Sequence, residues 1–548
     1  MKSYTNPVYE YRRSPDQDAG TAHRPVIVVG AGPVGLAAAI DLAQRGAPVV
    51  VLDDDDTVSV GSRAICHAKR TLEILDRLGC GEPVVRKGVG WNVGKVFHKT
   101  ELVYQFNVLA EPGHRRPAFV NLQQYHFEEC LVEHLGAMHG AEIRWLNRVI
   151  AVSPHADDVA VRIATREGEY ELSCDWLIVA DGARSPVRAM LGVEAEGQVF
   201  HDRFLIADIR MKSSLPTERT FWFDPPFHPN QSVLMHRQAD DVWRIDFQLG
   251  PDADPDEEKS PDRIMRRLRT MLGDDARYEI EWASVYTFQC RRMQHFRHGR
   301  VLFAGDAAHL VSPFGARGGN SGVQDVDNLG WKLKLVMDGL APERLLDTYD
   351  SERTVAADEN IRSSTRATDF ITPKSAISRT FRDATLALAK RHLFARRLVN
   401  SGRLSVPTVL AGSSLNTPDS DDFEAGVVPG AAASDAPVTG PGAQWFLDYV
   451  RGVFTLVAFG SIVSAPAAAA LLRDDICCCV VQVGDKASEP GCDSAIAIRD
   501  VTGILAERYD GRPGTCYLFR PDQHVCARWR AFDLSAVRAA IARATANG

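Results

Sequence analysis

Three glycines near the N-terminus are the first residues whose spacing points to a chemical role. Gly30, Gly32 and Gly35 follow an apolar, β-branched run and precede a helix-forming stretch. Such glycines allow a tight turn, close approach of the backbone to a pyrophosphate, and close packing of helix on strand. A second apolar run ends at Asp53, where an acid would bind a ribose hydroxyl. The unit predicts a dinucleotide site and does not choose between NAD and FAD.

A second group of such residues lies past the middle of the chain. A buried-strand pattern over residues 300–304 runs into Gly305 and Asp306, and a loop rich in proline and glycine follows. The loop ends at Asn320, which we predict to be the N-cap of a helix. A carboxylate at a strand end can hold sugar-alcohol hydroxyls, and a helix N-terminus can face an anion. This segment therefore predicts a second grip on the same ligand.

A third signal lies between these two. Residues 175–180 have a buried-strand pattern that ends in Asp181 and Gly182. Either this dipeptide or the later Gly-Asp pair would, alone, be typical of a turn. With the glycine motif, they predict a chain that folds back to grip both ends of a long cofactor, for which FAD is the candidate.

In this order the motifs resemble those of the single-component FAD-dependent aromatic hydroxylases, such as phenol hydroxylase and 3-(3-hydroxyphenyl)propionate hydroxylase. The resemblance covers about residues 26–335 and includes the segments DGARSPVR and GDAAHLVSPFGARGGNSGVQDVDNLGWKL. It implies non-covalent FAD, NADPH or NADH as co-substrate, O2, and a phenolic small molecule that a flavin C4a-hydroperoxide hydroxylates. Phenol, catechol, nitrocatechol or hydroxyphenylpropionate-type substrates of aromatic-compound degradation are implied.

The resemblance also implies which residues bind the cofactor. Asp306 should hold the ribitol, and Pro313 should lie against the flavin ring and act in catalysis. Relatives often have Gly-Gln-Gly where this chain has Arg317 between Ala316 and Gly318, and we expect that arginine to be exposed at the surface. The full cofactor set is Gly30, Gly32, Pro33, Val34, Gly35, Asp53, Arg63, Gln124, Asp181, Gly182, Gly305, Asp306, Pro313, Gly318, Gly319 and Asn320.

Residues 191–290 are expected to contact the substrate. Four stretches there, 204–209, 219–223, 232–236 and 243–249, are typical of antiparallel strands. Tyr286 matches a tyrosine that contacts the phenol oxygen in phenol hydroxylase, so the resemblance implies a catalytic role for it. Each polar residue could instead be an ordinary member of the sheet. The predicted substrate-binding residues are His236, Asp246, Gln248 and Tyr286, with Arg244 and Gln289 as further candidates.

The patterns predict an α/β fold with three parts. These are a Rossmann-like FAD-binding domain of the glutathione-reductase type, an inserted antiparallel-sheet substrate domain, and a C-terminal thioredoxin-like domain. The last lacks a CxxC pair, so we expect packing or contact within a homodimer rather than redox chemistry. The predicted boundaries are 1–22 (polar tail), 23–190 and 291–401 (FAD-binding), 191–290 (substrate), 402–438 (linker) and 439–548 (thioredoxin-like).

Composition argues against several other classes of protein. The formal charge of -8, with scattered arginines, argues against nucleic acid as a partner. No apolar stretch is long enough to span a bilayer. The eleven cysteines form neither a CxxC nor a metal-type cluster. We therefore expect no metal, no membrane span and a reduced, cytoplasmic setting.

Three alternatives share part of this pattern. A flavin-dependent halogenase would carry a Trp-x-Trp-x-Ile-Pro segment, which the sequence lacks. A flavin oxidase or reductase would bind FAD without hydroxylating a ring. A non-catalytic FAD-fold binding protein would have little reason to keep the loop around Pro313. Because no second G-x-G-x-x-G unit is present for a resident nicotinamide, we expect NAD(P)H to bind transiently.

Overall fold

The computed structural model describes residues 4–18, 20–250, 252–399, 404–485 and 495–548. Parts of the predicted tail, linker and C-terminal domain, including residues 1–3, 402–403 and 486–494, lie outside the described residues. The strands are β1 (Ala22–Val29), β2 (Val49–Leu52), β3 (Cys66–Ala68), β4 (Val89–Trp91), β5 (Val93–His98), β6 (Glu101–Asn107), β7 (Phe119–Asn121), β8 (Ala141–Arg144), β9 (Arg148–Pro154), β10 (Val159–Thr165), β11 (Gly168–Val179), β12 (Ala195–Arg210), β13 (Arg219–Phe223), β14 (Ser232–Arg237), β15 (Val242–Leu249), β16 (Glu279–Met293), β17 (Arg297–His298), β18 (Val301–Phe303), β19 (His309–Leu310), β20 (Pro437–Gly440), β21 (Ala443–Trp445), β22 (Phe454–Phe459), β23 (Cys478–Val483), β24 (Ile496–Ile498), β25 (Cys516–Phe519) and β26 (Val525–Trp529). The helices are α1 (Pro33–Gln44), α2 (Lys69–Arg77), α3 (Gly81–Lys87), α4 (Gln124–Gly136), α5 (Pro186–Met190), α6 (Pro255–Glu258), α7 (Pro261–Leu272), α8 (Gly318–Met337), α9 (Asp347–Ile371), α10 (Ala376–Ala389), α11 (Leu393–Leu398), α12 (Ala465–Arg473), α13 (Ile504–Arg508) and α14 (Leu534–Ala544).

A parallel sheet carries the glycine motif. Its central strands follow the order β18, β11, β1, β2, β8, and every neighbouring pair among them is parallel. Residues 26–29 and 49–52 are all buried, as expected for parallel strands covered on both faces. The predicted strands and helix of this unit are confirmed, although α1 begins at Pro33, earlier than the predicted Leu36. The chain therefore has a mixed α/β architecture, as predicted.

A second, mostly antiparallel sheet is formed mainly by the residues between β11 and β18. Its eight strands follow the order β19, β16, β12, β15, β14, β13, β5, β6, and all pairs except β13–β5 are antiparallel. The four predicted strands all occur in it. The sheet also contains β5 and β6, which lie far upstream of residues 191–290, and β16 continues to Met293. Sequence periodicity did not indicate these two strands.

A smaller sheet lies near the C-terminus, in the order β24, β23, β22, β25, β26. Its core includes Trp331 from α8, whose ring meets that of Phe454 edge-on at 5.9 Å. Buried ion pairs also cross this boundary, such as Arg520 with Glu352 of α9 at 2.6 Å. Helix α8 therefore packs against the C-terminal sheet as well as against α1. None of the described helices has the length and apolar character needed to cross a bilayer.

Candidate active site

A cavity of about 290 Å³ lies between the parallel sheet and the antiparallel sheet. Three stretches far apart in the sequence line it. They are the loop at residues 63–67, the strands β12 to β16, and residues within 306–320. The third of these was predicted to bind FAD, and residues 191–290, which carry β12 to β15 and most of β16, were predicted to contact the substrate.

The glycines of the first motif have different structural roles. A Cβ on Gly35 would lie 1.9 Å from the carbonyl oxygen of Gly30, and a Cβ on Gly30 would lie 2.5 Å from that of Ala180. A Cβ on Gly32 would meet nothing within 4 Å. Thus Gly30 and Gly35 allow backbone to pack on backbone, whereas Gly32 leaves open space before α1, whose N-terminus has no side-chain cap.

The first motif also touches the second directly. A Cβ on Gly305 would lie 2.8 Å from Cγ2 of Val34, and one on Gly322 would lie 2.5 Å from the same atom. Val34 therefore packs into a space that these two glycines leave free. This contact explains how helices α1 and α8 approach closely enough to share one cleft.

Asp53 and Asp181 follow β2 and β11, the two strands that flank β1 in the parallel sheet. The Asp53 carboxylate accepts hydrogen bonds from the N–H groups of Ala31 and Asp55, while desolvation raises its pKa to about 6. Oδ2 of Asp181 accepts from the N–H of Val187 at 3.1 Å. Its Oδ1 is buried and has no hydrogen-bond partner among the described residues. Both acids thus retain capacity to accept a ligand hydroxyl.

Asp306 lies at the wall of the cavity and is exposed to it. Desolvation by the surrounding protein raises its pKa. The turn that carries it is held by Asp325, whose carboxylate accepts from the N–H of Gly305 at 2.9 Å and bonds His309 at 2.6 Å. The guanidinium of Arg353 completes this buried group at 2.7 Å. Asp325 thus fixes the loop, although it does not line the cavity.

The prediction that Asn320 caps a helix is wrong. Helix α8 begins at Gly318, with Arg317 at its N-cap and no side-chain cap. The Asn320 amide instead donates to the carbonyl oxygen of Cys66 at 2.8 Å and accepts from the N–H of Ala68 at 2.8 Å. It therefore joins the helix to β3, a long-range contact that local patterns do not reveal.

The expected surface exposure of Arg317 is also wrong, because only 6% of this residue is exposed. Gly315 and Ala316 both have positive φ, +113° and +52°, and this turns the chain back on itself. A Cβ on Gly315 would lie 3.0 Å from Nε of Arg317, so the side chain folds over the glycine. It lines the cavity beside Pro313 and donates to Oδ1 of Asn360 at 3.3 Å.

Of the predicted cofactor residues Arg63 and Gln124, only Arg63 lines the cavity. Oε1 of Gln124 accepts from the N–H of Ala64 at 3.0 Å, and its Nε2 donates to Ser59 at 2.8 Å. Gln124 does not itself line the cavity but orders the loop that does. The guanidinium of Arg63 lies 5.9 Å from the ring centroid of Tyr286.

The antiparallel sheet presents its polar residues to the cavity in cross-strand rows. His236 on β14 pairs with Arg244 on β15, which pairs with Asp208 on β12. Two residues further along β15, Asp246 pairs with Leu234 on β14 and with Ile206 on β12. Tyr286 on β16 pairs with Phe204 on β12. All of these except Asp208 line the cavity, as does Gln289. Gln248 does not, because its Oε1 accepts from the N–H of Ser232 at 2.9 Å.

Four of these polar residues are charged or have a shifted pKa in a buried environment. Arg244 and Asp208 form a buried two-pronged ion pair with distances of 2.8 and 2.7 Å. Oδ1 of Asp246 and Nε2 of His236 are buried without hydrogen-bond partners among the described residues. Desolvation raises the pKa of Asp246 to about 7, and desolvation together with Arg219 and Arg244 holds the pKa of His236 well below 6.5. A group that titrates near neutral pH therefore faces the cavity beside a neutral imidazole.

Residues 23–364 match the family model described as FAD binding domain. The chain belongs to this family. A 12-dehydrotetracycline 5-monooxygenase/anhydrotetracycline 6-monooxygenase of Streptomyces rimosus is 33% identical over 64% of this chain and 70% of that protein. A 3-(3-hydroxy-phenyl)propionate/3-hydroxycinnamic acid hydroxylase of Escherichia coli is 31% identical over 65% of this chain and 64% of that protein. The crystal structure of the flavin-dependent monooxygenase PieE with FAD and substrate has the same fold, with a TM-score of 0.80 at 23% identity over 96% of this chain and 100% of that one.

This family member is a flavoprotein monooxygenase of the FAD-dependent aromatic hydroxylase type. Its cleft fits FAD on four structural observations. Gly32 faces open space, two helix N-termini lack side-chain caps, Oδ1 of Asp181 is unpartnered, and Asp306 is exposed in the cavity. Free N–H groups at a helix N-terminus suit a pyrophosphate, and the two carboxylates suit sugar hydroxyls.

Several residues that shape the enzyme's site escaped sequence analysis. Asp208 and Arg219 belong to strands whose polar positions gave no local signal, and Asp325 lies within the quoted GGNSGVQD segment without any sign of its partners. Cys66 lies 3.7 Å from Nδ1 of His236, although 170 residues separate them. Strand register places Asp208 and Arg219, whereas Cys66 on β3 and Asp325 on α8 reach the site through packing between separate elements.

Proposed function

We propose that the enzyme adds one atom of O2 to a phenolic ring, with NADPH or NADH as the electron donor. The observation that carries this proposal is the position of Asp246. Asp246, half-buried with a buried and unpartnered Oδ1 and a pKa of about 7, shares one cavity with Tyr286 and with the loop of Asp306 and Pro313. A phenol activated for hydroxylation must lose or share its proton, and a base that titrates near neutral pH suits this task.

The residues at the other end of the cleft would hold the cofactor. Gly32 would admit the pyrophosphate to the α1 N-terminus, on a turn that Gly30 and Gly35 keep tightly packed, and Asp53 would bind the ribose. Asp306 would bind the ribitol, and Pro313 with Gly318–Asn320 would flank the flavin ring. When bound, FAD accepts a hydride from the nicotinamide and activates O2 for transfer to the ring.

The protein's own groups would then orient and activate the phenol. The phenolic O–H would donate to Oδ1 of Asp246, while Tyr286 would hydrogen-bond the same oxygen. Phe204, Phe288 and Phe314 contact one another with ring centroids 5.0 to 5.2 Å apart and would exclude water beside the reacting ring. His236 remains neutral, and its Nε2 can donate or accept a hydrogen bond according to its tautomer.

We further propose that residues 439–548 form a thioredoxin-like domain that serves packing, or contact within a homodimer. The five-stranded mixed sheet and the missing CxxC pair support this role. The division at 23–190, 191–290, 291–401 and 402–438 is our proposal for the rest, with the substrate sheet also drawing β5 and β6 from the first part.

The decisive experiment combines labelled oxygen with flavin reduction. Purified enzyme is supplied with NAD(P)H, ¹⁸O2 and a panel of substituted phenols, and the products are analysed by mass. We expect one labelled atom in a new ring hydroxyl and faster flavin reduction when the correct phenol is present. If no label enters any ring and reduction is equally fast without a phenol, the enzyme is an oxidase or reductase instead.

A further inference from the structure

Helix α10 carries an apolar stripe that faces away from the protein core. Ile377, Phe381 and Leu388 recur at helical spacing, and they are 83%, 58% and 46% exposed. Another side of the helix holds it in place, because Leu386 and Ala389 belong to a core cluster that also contains residues of β5 and β6. The helix therefore has a buried apolar side and a second apolar side that faces solvent.

Helix α11 extends this exposed surface. It packs on α10, and Ala395 anchors it in the same core cluster. Leu393, Phe394 and Leu398 are 72%, 61% and 50% exposed. Six large apolar side chains thus lie exposed between residues 377 and 398, and we call them the outer apolar face. A concentration of exposed apolar side chains of this kind marks an interaction surface.

The segment that carries the outer apolar face is also strongly basic. Residues 374–398 contain seven lysines and arginines and a single acid, Asp383, whereas the whole chain has a formal charge of -8. Arg391 and Arg397 are exposed, and neither forms an ion pair with a described residue. Three of the seven cations pair with acids of the described chain: Lys374, Arg382 and Lys390. The surface therefore combines apolar side chains with positive charge that the described chain does not neutralise.

This combination favours an anionic lipid surface over a second copy of the chain. In a two-fold symmetric dimer the same patch lies on both sides of the contact, so a dimer through α10 and α11 would bring two groups of arginines together. Lipid phosphates would instead pair with those arginines, and the interfacial region of the bilayer would receive the phenylalanine and leucine side chains. Charge complementarity therefore selects the membrane as the partner.

We propose that α10 and α11 dock the enzyme on the surface of an anionic membrane. The outer apolar face enters the headgroup region, and Arg391 and Arg397 bind lipid phosphates. Ile371 at the end of α9 and Val399 after α11 line an apolar cavity of about 50 Å³, and Phe314 lines both this cavity and the main one. Docking thus brings a chamber beside the active site close to the bilayer. The inference does not depend on the proposed function.

The test measures binding to lipid vesicles. The FAD-loaded enzyme is sedimented with vesicles of phosphatidylcholine alone, and with vesicles of phosphatidylglycerol and phosphatidylcholine in equal parts. We expect binding to the anionic vesicles to be tighter by about tenfold or more. Binding should weaken at about 0.5 M salt, because ions screen the attraction between the arginines and the lipid phosphates.

Two double variants separate the contributions of charge and of apolar surface. Arg391→Glu with Arg397→Glu reverses two exposed charges and should weaken binding to anionic vesicles by about tenfold or more. Phe381→Ser with Phe394→Ser removes two exposed rings and should weaken it by a similar factor. Thermal melting shows whether each variant is folded. If either is not, the comparison of the wild type on the two kinds of vesicle still decides.

A matched control lies on α12. Leu472→Ser with Arg473→Glu changes an exposed leucine and an exposed arginine, and this variant should bind vesicles as tightly as the wild type. Equal binding of the wild type to neutral and anionic vesicles, or an equal loss in the control, overturns the proposal. Full retention of anionic binding in the serine variant would reveal a general attraction to polyanions and would also overturn it. A wild-type dimer that the serine variant converts to a monomer in sedimentation velocity would assign the surface to a second copy instead.

Discussion

The two ends of the cleft are built by different physical means. At the nucleotide end the backbone does the work, because Gly30 and Gly35 let carbonyl groups approach within distances that any Cβ would forbid. At the substrate end, the pairing register of strands β12 to β16 brings side chains together. The free-energy cost of burying those side chains depends on whether their charges are paired. Mutations should therefore act through steric space at the first end and through unpaired polar groups at the second.

The largest effect is expected at the substrate end. Asp208→Ala leaves Arg244 buried without its carboxylate, which should lower the free energy of unfolding by about 3–5 kcal/mol. Denaturant titration measures this change. The control is Asp338→Ala, which removes an exposed pair with Lys334 and should cost less than about 1 kcal/mol. Equal losses in the two variants would contradict the view that Asp208 neutralises a buried charge at the substrate end.

The next effect lies at the nucleotide end and separates two glycines of one motif. Gly35→Ala forces a methyl group onto the Gly30 carbonyl oxygen and should destabilise even the FAD-free protein, by about 1–3 kcal/mol or more. Gly32→Ala meets open space and should leave the FAD-free protein as stable as before, yet weaken FAD binding. Thermal melts of both variants, with and without FAD, give the comparison. If both glycines behave alike, our division of their roles fails.

Asp306 should affect the cofactor rather than the fold. Asp306→Ala removes a carboxylate that would accept ribitol hydroxyls, so we expect FAD affinity to fall by about 1–3 kcal/mol. The measurement is the dissociation constant for FAD on reconstitution of the FAD-free protein. Asp338→Ala again serves as control. Unchanged FAD retention would show that Asp306 has another role.

Asp246 should make stability depend on pH. Its pKa rises from 3.8 to about 7 on folding, so the folded chain binds more protons than the unfolded chain between these values. The free energy of unfolding should therefore fall as pH rises from about 4 to 7, by at most about 1.4 kcal/mol per unit from this group. Unfolding curves of wild type and Asp246→Asn at several pH values isolate the contribution. Parallel pH profiles would contradict the buried, unpartnered state of the carboxyl.

The smallest effect on stability is expected from Tyr286→Phe. Tyr286 lines the cavity and is not fully buried, so loss of its hydroxyl should change the free energy of unfolding by less than about 0.5 kcal/mol and leave FAD content unchanged. Coupling should suffer instead, with more H2O2 formed per NAD(P)H oxidised. Coupling equal to that of the wild type with every good substrate would make Tyr286 an ordinary residue of the sheet.

Sequence patterns were informative where structure is local. The strand–turn–helix around Gly30 and the strand before Gly305 follow from apolar runs and glycine spacing, so the sequence alone predicts both. Asn320 and Arg317 were misjudged for the opposite reason. Their environments depend on β3, on α9 and on two residues of positive φ, and none of these is visible in the adjacent sequence.

The substrate sheet shows the same limit from another side. Its central strands were predicted. Of the predicted polar residues, His236, Arg244, Asp246 and Tyr286 line the cavity from adjacent strands. Gln248 does not line it, because its side chain bonds the backbone of Ser232. Arg219 was seen only as the first residue of a strand. Cross-strand register and side-chain rotamers decide which polar residue faces the cavity without a hydrogen-bond partner. Both depend on the whole fold.

Helix α8 has a further consequence for how the molecule can be cut or evolve. Its first turn lines the cavity, while Trp331 thirteen residues after Gly318 is buried in the C-terminal core and Lys332 joins Glu352 in a buried network with Arg520. Helix α8 thus forms part of the cavity wall at its first turn and part of the C-terminal core further along. Removing the C-terminal region would expose the indole of Trp331 and would leave Lys332 and Glu352 without Arg520. These changes would fall on the helix that also lines the flavin cleft, so we expect truncation to disturb that cleft. The flavin cleft and the C-terminal core therefore share a structural element.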